Sequence, residues 1–190
     1  MENPGVFRIL AGLGNPGSEY ANTRHNVGFL VIDELASRFG VSFQFDAQWD
    51  AETARHGDLW LVKPRTFMNL SGQAVGHLAR YHKITAEQIL IITDDAALPL
   101  GHLRLRKEGS AGGHHGVESV LMHMGTSHVP RLRIGIGSAV NDMQDHVLGK
   151  FLEEEAPLVN TAVKRASDAV QHALTNDLEA TMNLFNQNSN

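Results

Sequence analysis

Residues 89–93, Ile-Leu-Ile-Ile-Thr, form an apolar and largely β-branched run that limits what this chain can fold into. A run of that length and character reads as a strand buried on both faces, which places it in the middle of a parallel sheet with helices on either side. A second short apolar run, residues 6–11, has the same character and ends in the cluster Gly12-Leu13-Gly14-Asn15-Pro16-Gly17. Between the two runs, Val27, Leu30, Val31, Leu35 and Phe39 recur at helical spacing, with Asn26 as the expected N-cap and Gly40 just past the end. The expected fold is therefore α/β: a twisted mixed β-sheet with helices on both faces. At 190 residues and 42% hydrophobic composition, the chain has enough apolar surface for one such core, so residues 1–190 read as a single domain.

The remaining pattern is consistent with this plan. Two strands are expected within 41–63, the second after a turn at His56-Gly57-Asp58. A loop over 65–70 then leads into a helix from Ser71, its expected N-cap, to about His82. Thr85-Ala86-Glu87-Gln88 has the form of a capping box just before the 89–93 strand. Further strands are expected at 102–107 and 131–137, and helices at 116–124, 157–174 and 178–185, with 186–190 frayed. The glycine-rich loop 108–115 is a candidate gate, because glycine tolerates backbone changes that other residues resist.

Several functional classes are excluded or weakened at this stage. The chain has no cysteine, which rules out disulfides, thiol catalysis and thiolate metal sites. The N-terminus has no basic segment followed by an apolar run, and no stretch is apolar enough to span a bilayer, so a soluble cytoplasmic protein without membrane attachment is expected. Net charge is −5, yet the excess lies entirely in residues 138–190, which carry 8 acidic and 3 basic side chains. Residues 60–137 carry 9 basic and 5 acidic ones, so a local phosphate-binding face is compatible with an acidic total.

Gly12-x-Gly14-x-x-Gly17 after a strand matches a dinucleotide fingerprint in spacing. That fingerprint needs a helix starting inside the motif, and residues 18–26 are polar with no apolar stripe. Asp33 and Glu34 also fall in the middle of the expected helix, where neither could reach a ribose. The eleven histidines include the pair His114-His115, but no His-Glu-x-x-His spacing occurs. Neither Ser71 nor Ser110 sits in a nucleophile elbow. What remains is a set of polar residues at strand ends and in loops: Asn15, His25, Asn69, Asp94, His114 and His115. A neutral imidazole can take a proton from water, a carboxylate can fix its tautomer, and a carboxamide can donate to a developing oxyanion. Those groups suffice to hydrolyse an activated ester.

Taken together, these segments resemble the bacterial-type peptidyl-tRNA hydrolase family. The resemblance runs through Gly12-Leu13-Gly14-Asn15-Pro16-Gly17, Tyr20-Ala21, Thr23-Arg24-His25-Asn26-Val27-Gly28-Phe29, Lys63-Pro64 and Thr66-Phe67-Met68-Asn69-Leu70-Ser71-Gly72. It continues through Asp94-Asp95, Leu98-Pro99-Leu100-Gly101, Gly109-Ser110-Ala111-Gly112-Gly113-His114 and Arg131-Leu132-Arg133-Ile134-Gly135-Ile136-Gly137. It implies His25 as general base, Asp94 as its orienting carboxylate, Asn69 as the holder of substrate and oxyanion, and Asn15 as the reader of an N-blocked group. Tyr20 and Phe67 would wall the cleft, and His114 and His115 would contact substrate. Independently of the resemblance, Arg104 and Arg106, two apart on a strand, are expected to project on one face and meet tRNA phosphates. The implied protein is a monomer with tRNA as partner and with neither metal nor cofactor. A non-catalytic RNA-binding relative is the alternative. Two positions depart from the family pattern: His115 stands where asparagine is usual, and Ala96-Ala97 where Leu-Asp is usual.

Overall fold

The computed structural model describes residues 7–187, so the expected start of the first strand at Val6 and the fraying of 188–190 lie outside the described residues. Seven strands form one mixed sheet in the order β2-β3-β4-β1-β5-β7-β6. In chain order they are β1 (Ile9–Gly12), β2 (Gln44–Asp46), β3 (Ala51–His56), β4 (Leu59–Pro64), β5 (Ile89–Asp95), β6 (Leu103–Arg106) and β7 (Arg131–Gly135). The helices are α1 (Val27–Phe39), α2 (Ser71–Tyr81), α3 (His115–Met124), α4 (Met143–Leu148), α5 (Ala156–Thr175) and α6 (Leu178–Phe185). The four central strands β4, β1, β5 and β7 run parallel; β2, β3 and β6 are antiparallel to their neighbours.

Side chains that alternate along the central strands sort into two cores, one on each face. Leu10, Leu90 and Ile92 pack with Val31 and Leu35 of α1 and with Val163 and Val170 of α5. Ile9, Ala11, Ile89 and Ile91 pack with Val75 and Leu78 of α2 and with Val117 and Val120 of α3. A sheet covered by helices on both faces explains why β1 and β5 read as continuous apolar runs. Among the described residues, no helix is long and apolar enough to cross a membrane.

The glycine motif after β1 serves packing. A Cβ on Gly12 would lie 2.5 Å from the Gly28 carbonyl oxygen, and one on Gly28 would lie 2.4 Å from the Ile92 carbonyl oxygen. The start of α1 therefore touches the sheet backbone directly, an approach only glycine permits. Asp33 and Glu34 are spent on ion pairs with Lys63 at 2.7 Å and Arg38 at 2.9 Å.

Four expectations need correction. The 41–63 segment holds three strands, because Asp46 and Asp50 bracket a tight turn that leaves Gln44–Asp46 as a short extra edge strand. Ser71 is the first residue of α2, not its cap; Leu70 holds the cap position, and the Ser71 hydroxyl donates to the Met68 carbonyl at 2.7 Å. Asn26 does occupy the cap position of α1, but its carboxamide is engaged with Asn15 and caps nothing. Asn186, expected to fray, accepts the Leu105 N–H at 2.6 Å and donates to the Leu105 carbonyl at 3.0 Å, which covers part of the β6 edge.

Candidate active site

β5 ends at the sheet edge where open α/β folds bind ligands, and there Asp94 is 3% exposed. Its Oδ2 accepts from His25 Nδ1 at 2.8 Å and its Oδ1 from His114 Nε2 at 2.8 Å, the latter N–H shared with Thr93 Oγ1 at 2.9 Å. Burial opposes the charge on Asp94, but the two imidazoles outweigh it and hold the carboxyl well below the ordinary carboxylate range. A carboxylate only accepts, so each ring must present an N–H to it. At His25 this leaves Nε2 as the nitrogen free to take a proton.

His114 is fixed more tightly. It is the N-cap of α3, and its Nδ1 accepts from the Gly116 and Val117 N–H groups, both at 3.2 Å. Burial disfavours an imidazolium there, and the Asp94 carboxylate outweighs burial and raises the pKa. The proton would have to enter at Nδ1, however, against two N–H donors, so the geometry favours the neutral Nε2–H ring. The same arrangement bears on metal binding. His25, Asp94 and His114 present donor atoms within 4.8 Å of one another, a residue set of the kind that holds divalent cations. A ring whose Nε2 carries its only proton has no lone pair to give at that atom, so the set does not fit a metal without breaking the α3 cap.

His25 lies in a short turn, Arg24–Asn26, clamped from both sides. On one side Asn26 donates to the Asn15 carbonyl and accepts the Asn15 N–H, both at 2.9 Å. On the other, the Arg24 guanidinium grips Glu155 at 3.2 and 2.9 Å and sits over the Phe151 ring at 5.1 Å. Burial alone would raise the Glu155 pKa, and Arg24 outweighs that and lowers it. The network also reaches the opposite lip. Asn15 Oδ1 accepts the Met68 N–H at 2.8 Å, which fixes the loop carrying Phe67 and Asn69 and leaves the Asn15 NH2 as the free end of the carboxamide.

One cavity of about 830 Å³ is lined by Asn15, Tyr20, His25, Phe67, Asn69, Asp94, His114 and His115 among others. Asn69 is exposed, and His115, the first residue of α3, stands 3.5 Å from Glu118. Arg104 and Arg106 do not line the cavity. They lie on the neighbouring edge strand β6, opposite Arg133 and Arg131 of β7, both of which do line it. Arg131 donates to the Gly109 and Ser110 carbonyls at 2.7 and 2.9 Å, which ties the first half of the expected gate, the 108–115 loop, to β7.

Sequence reasoning missed Thr93, Arg24 with Glu155, and α4, which together with its N-cap Asp142 supplies Met143, Gln144, Val147 and Leu148 to the cavity. Glu155 was legible only as part of an acidic run, and six residues are too few for a helical period to stand out.

A buried carboxylate that orients an imidazole, beside the free NH2 of Asn15 and the exposed Asn69 in an α/β cleft, is an arrangement suited to hydrolysis. The family model described as peptidyl-tRNA hydrolase matches residues 9–190. The chain is 45% identical over 181 residues to a peptidyl-tRNA hydrolase of Akkermansia muciniphila, covering 94% of this chain and 95% of that one. It is also 45% identical over 183 residues to that of Bacillus subtilis, covering 94% and 97%. The crystal structure of peptidyl-tRNA hydrolase from Acinetobacter baumannii superposes with a TM-score of 0.91 at 34% identity, covering 98% of this chain and 97% of that one. The chain belongs to the peptidyl-tRNA hydrolase family.

Proposed function

We propose that this protein hydrolyses the ester bond joining a peptide, or an N-blocked amino acid, to the terminal ribose of tRNA. The observation that carries the mechanism is the His25–Asp94 couple, in which Asp94 holds the Nδ1–H and leaves Nε2 basic toward the cavity. His25 takes a proton from water as the water oxygen bonds to the ester carbonyl carbon. The charge that develops on the carbonyl oxygen is met by the Asn69 carboxamide. The tetrahedral intermediate then expels the ribose oxygen, which takes the proton back from His25, giving an intact tRNA hydroxyl and a carboxylic acid that ionises by releasing its remaining proton to solvent.

Asn15, with its oxygen engaged by Met68, offers its NH2 to a peptide carbonyl that an unblocked aminoacyl group lacks. Tyr20 and Phe67 flank the acyl group, and His114 steadies Asp94 from the far side. His115, with a ring that both donates and accepts, adjusts the grip on substrate. Arg104 and Arg106 contact tRNA phosphates next to the cavity mouth. No metal takes part, in keeping with the proton on His114 Nε2. The protein works as a monomer in the cytoplasm, where its substrate is made. A non-catalytic RNA-binding role is not favoured, since it would have no use for a complete base and carboxylate couple.

The test compares N-acetyl-aminoacyl-tRNA with free aminoacyl-tRNA, in the presence of a chelator, for wild type and His25→Ala. Selective cleavage of the blocked substrate, reduced about 10²–10⁴-fold in the variant, is the expected result. Binding without cleavage by wild type would mean the RNA-binding role instead.

A further inference from the structure

Thr93 precedes Asp94 on β5, is 2% exposed and lines the same cavity. A buried hydroxyl beside an orienting carboxylate can act in two opposite ways. As an acceptor it draws donors away from the carboxylate; as a donor it helps to neutralise it. The distances separate the two. Oγ1 lies 2.9 Å from His114 Nε2, the length of a good hydrogen bond, but 3.5 Å from Asp94 Oδ1. A hydroxyl that donates to a carboxylate sits at about 2.5–2.7 Å, so the acceptor role wins. The Asp94 carbonyl, at 3.4 Å, is little closer. The proton on His114 Nε2, held there by the two backbone N–H groups at Nδ1, is thus divided between Thr93 Oγ1 and Asp94 Oδ1.

Resting on the function proposed above, we infer that Thr93 is a positioning residue that strengthens the base. By taking part of the His114 N–H it leaves Asp94 more charge with which to hold the His25 Nδ1–H and to support the imidazolium that forms as water gives up its proton. Without the hydroxyl, His114 donates to Asp94 alone, the carboxylate is better neutralised and His25 becomes a weaker base. The His114 ring stands 5.0 Å from that of His25. The other ionisable groups around the His25 turn are exposed or have partners of their own. Asp95 is paired with Arg133 at 2.6 Å, Arg24 with Glu155, and Asp33 and Glu34 of α1 with Lys63 and Arg38. On the α4 side Asp142 and Asp145 are exposed, and His146 Nε2 donates to the Gly137 carbonyl at 2.8 Å. They form a constant background for a change at Thr93.

The test follows kcat/KM against pH on N-acetyl-aminoacyl-tRNA for the full chain as wild type, Thr93→Val and Thr93→Ser. Valine keeps the branched shape without the hydroxyl; serine keeps the hydroxyl. In Thr93→Val the acid limb is expected to move down by roughly half a pH unit and the plateau to fall about threefold, while Thr93→Ser stays near wild type. A lower plateau with an unmoved limb would make Thr93 purely structural, and a limb that moves up would make its hydroxyl a donor to Asp94; either overturns the inference. Proton NMR of the wild type gives a second readout that needs no variant to fold. Asp94 accepts from His25 Nδ1 and from His114 Nε2 at the same distance, 2.8 Å, so a shared His114 proton is expected upfield of the His25 one. Coincident resonances, or the reverse order, overturn the inference and leave the hydrolase reading intact. Absence of cleavage by wild type refutes the hydrolase reading itself, whatever the order of the resonances.

Discussion

Replacing Asp94 by asparagine keeps the shape of the side chain and exchanges one acceptor for a donor, and the surrounding hydrogen bonds dictate where that donor must point. His114 Nδ1 already accepts two backbone N–H groups, so its proton stays on Nε2 and the new carboxamide must turn its oxygen toward it. The NH2 then faces His25 Nδ1, 2.8 Å away in the native protein. To avoid two opposed N–H groups, His25 must move its proton to Nε2, the atom that should receive one from water. The base is lost with its ring still in place. Loss of general-base catalysis is worth about 10²–10⁴ in rate, or about 2.7–5.4 kcal/mol of barrier. Single-turnover hydrolysis of N-acetyl-aminoacyl-tRNA measures the rate, and nitrogen-15 NMR of the histidine rings reports the tautomer. Activity within about threefold of wild type, or a His25 ring still protonated at Nδ1, would refute the reasoning.

Asp94 also makes stability depend on pH. Its folded pKa lies below its ordinary value near 3.8, so the unfolded chain binds the proton more readily. The stabilisation is complete above that ordinary value and is lost as pH falls through the folded one, so urea midpoints should drop on the acid side. Asp94→Asn should flatten that limb, and parallel curves for the two proteins would count against the assignment. Asn69→Ala should cost about 2.7–4 kcal/mol of transition-state stabilisation, seen as lower kcat; a change confined to KM would make Asn69 a positioning residue. Glu155→Gln should lower kcat by up to about 10²-fold with KM nearly constant, because Arg24 then holds the His25 turn less firmly. Unchanged kcat would mean the clamp is only structural.

Much of the frame was legible in the sequence because it rests on short-range patterns. Unbroken apolar runs mark strands buried on both faces, the 3.6-residue period marks α1 and α5, and the length of Ile89–Asp95 fixes which end carries Asp94. The motifs also named most of the residues that the cavity gathers. Local pattern could not assign the tasks of individual polar groups, because each depends on partners distant in the chain. Asn26 looked like a cap and instead joins Asn15; Ser71 looked like a cap and instead bonds Met68. The glycine motif looked like a phosphate cradle and is where α1 meets the sheet. Arg24 and Glu155 are 131 residues apart and meet only when α5 packs against α1. The sequence by itself determined the central strands of the sheet, the helices on both of its faces and most of the reactive side chains. The tertiary structure alone decided which histidine is left with a basic nitrogen, because a proton's place on a ring is set by the donors and acceptors that folding brings to either side of it.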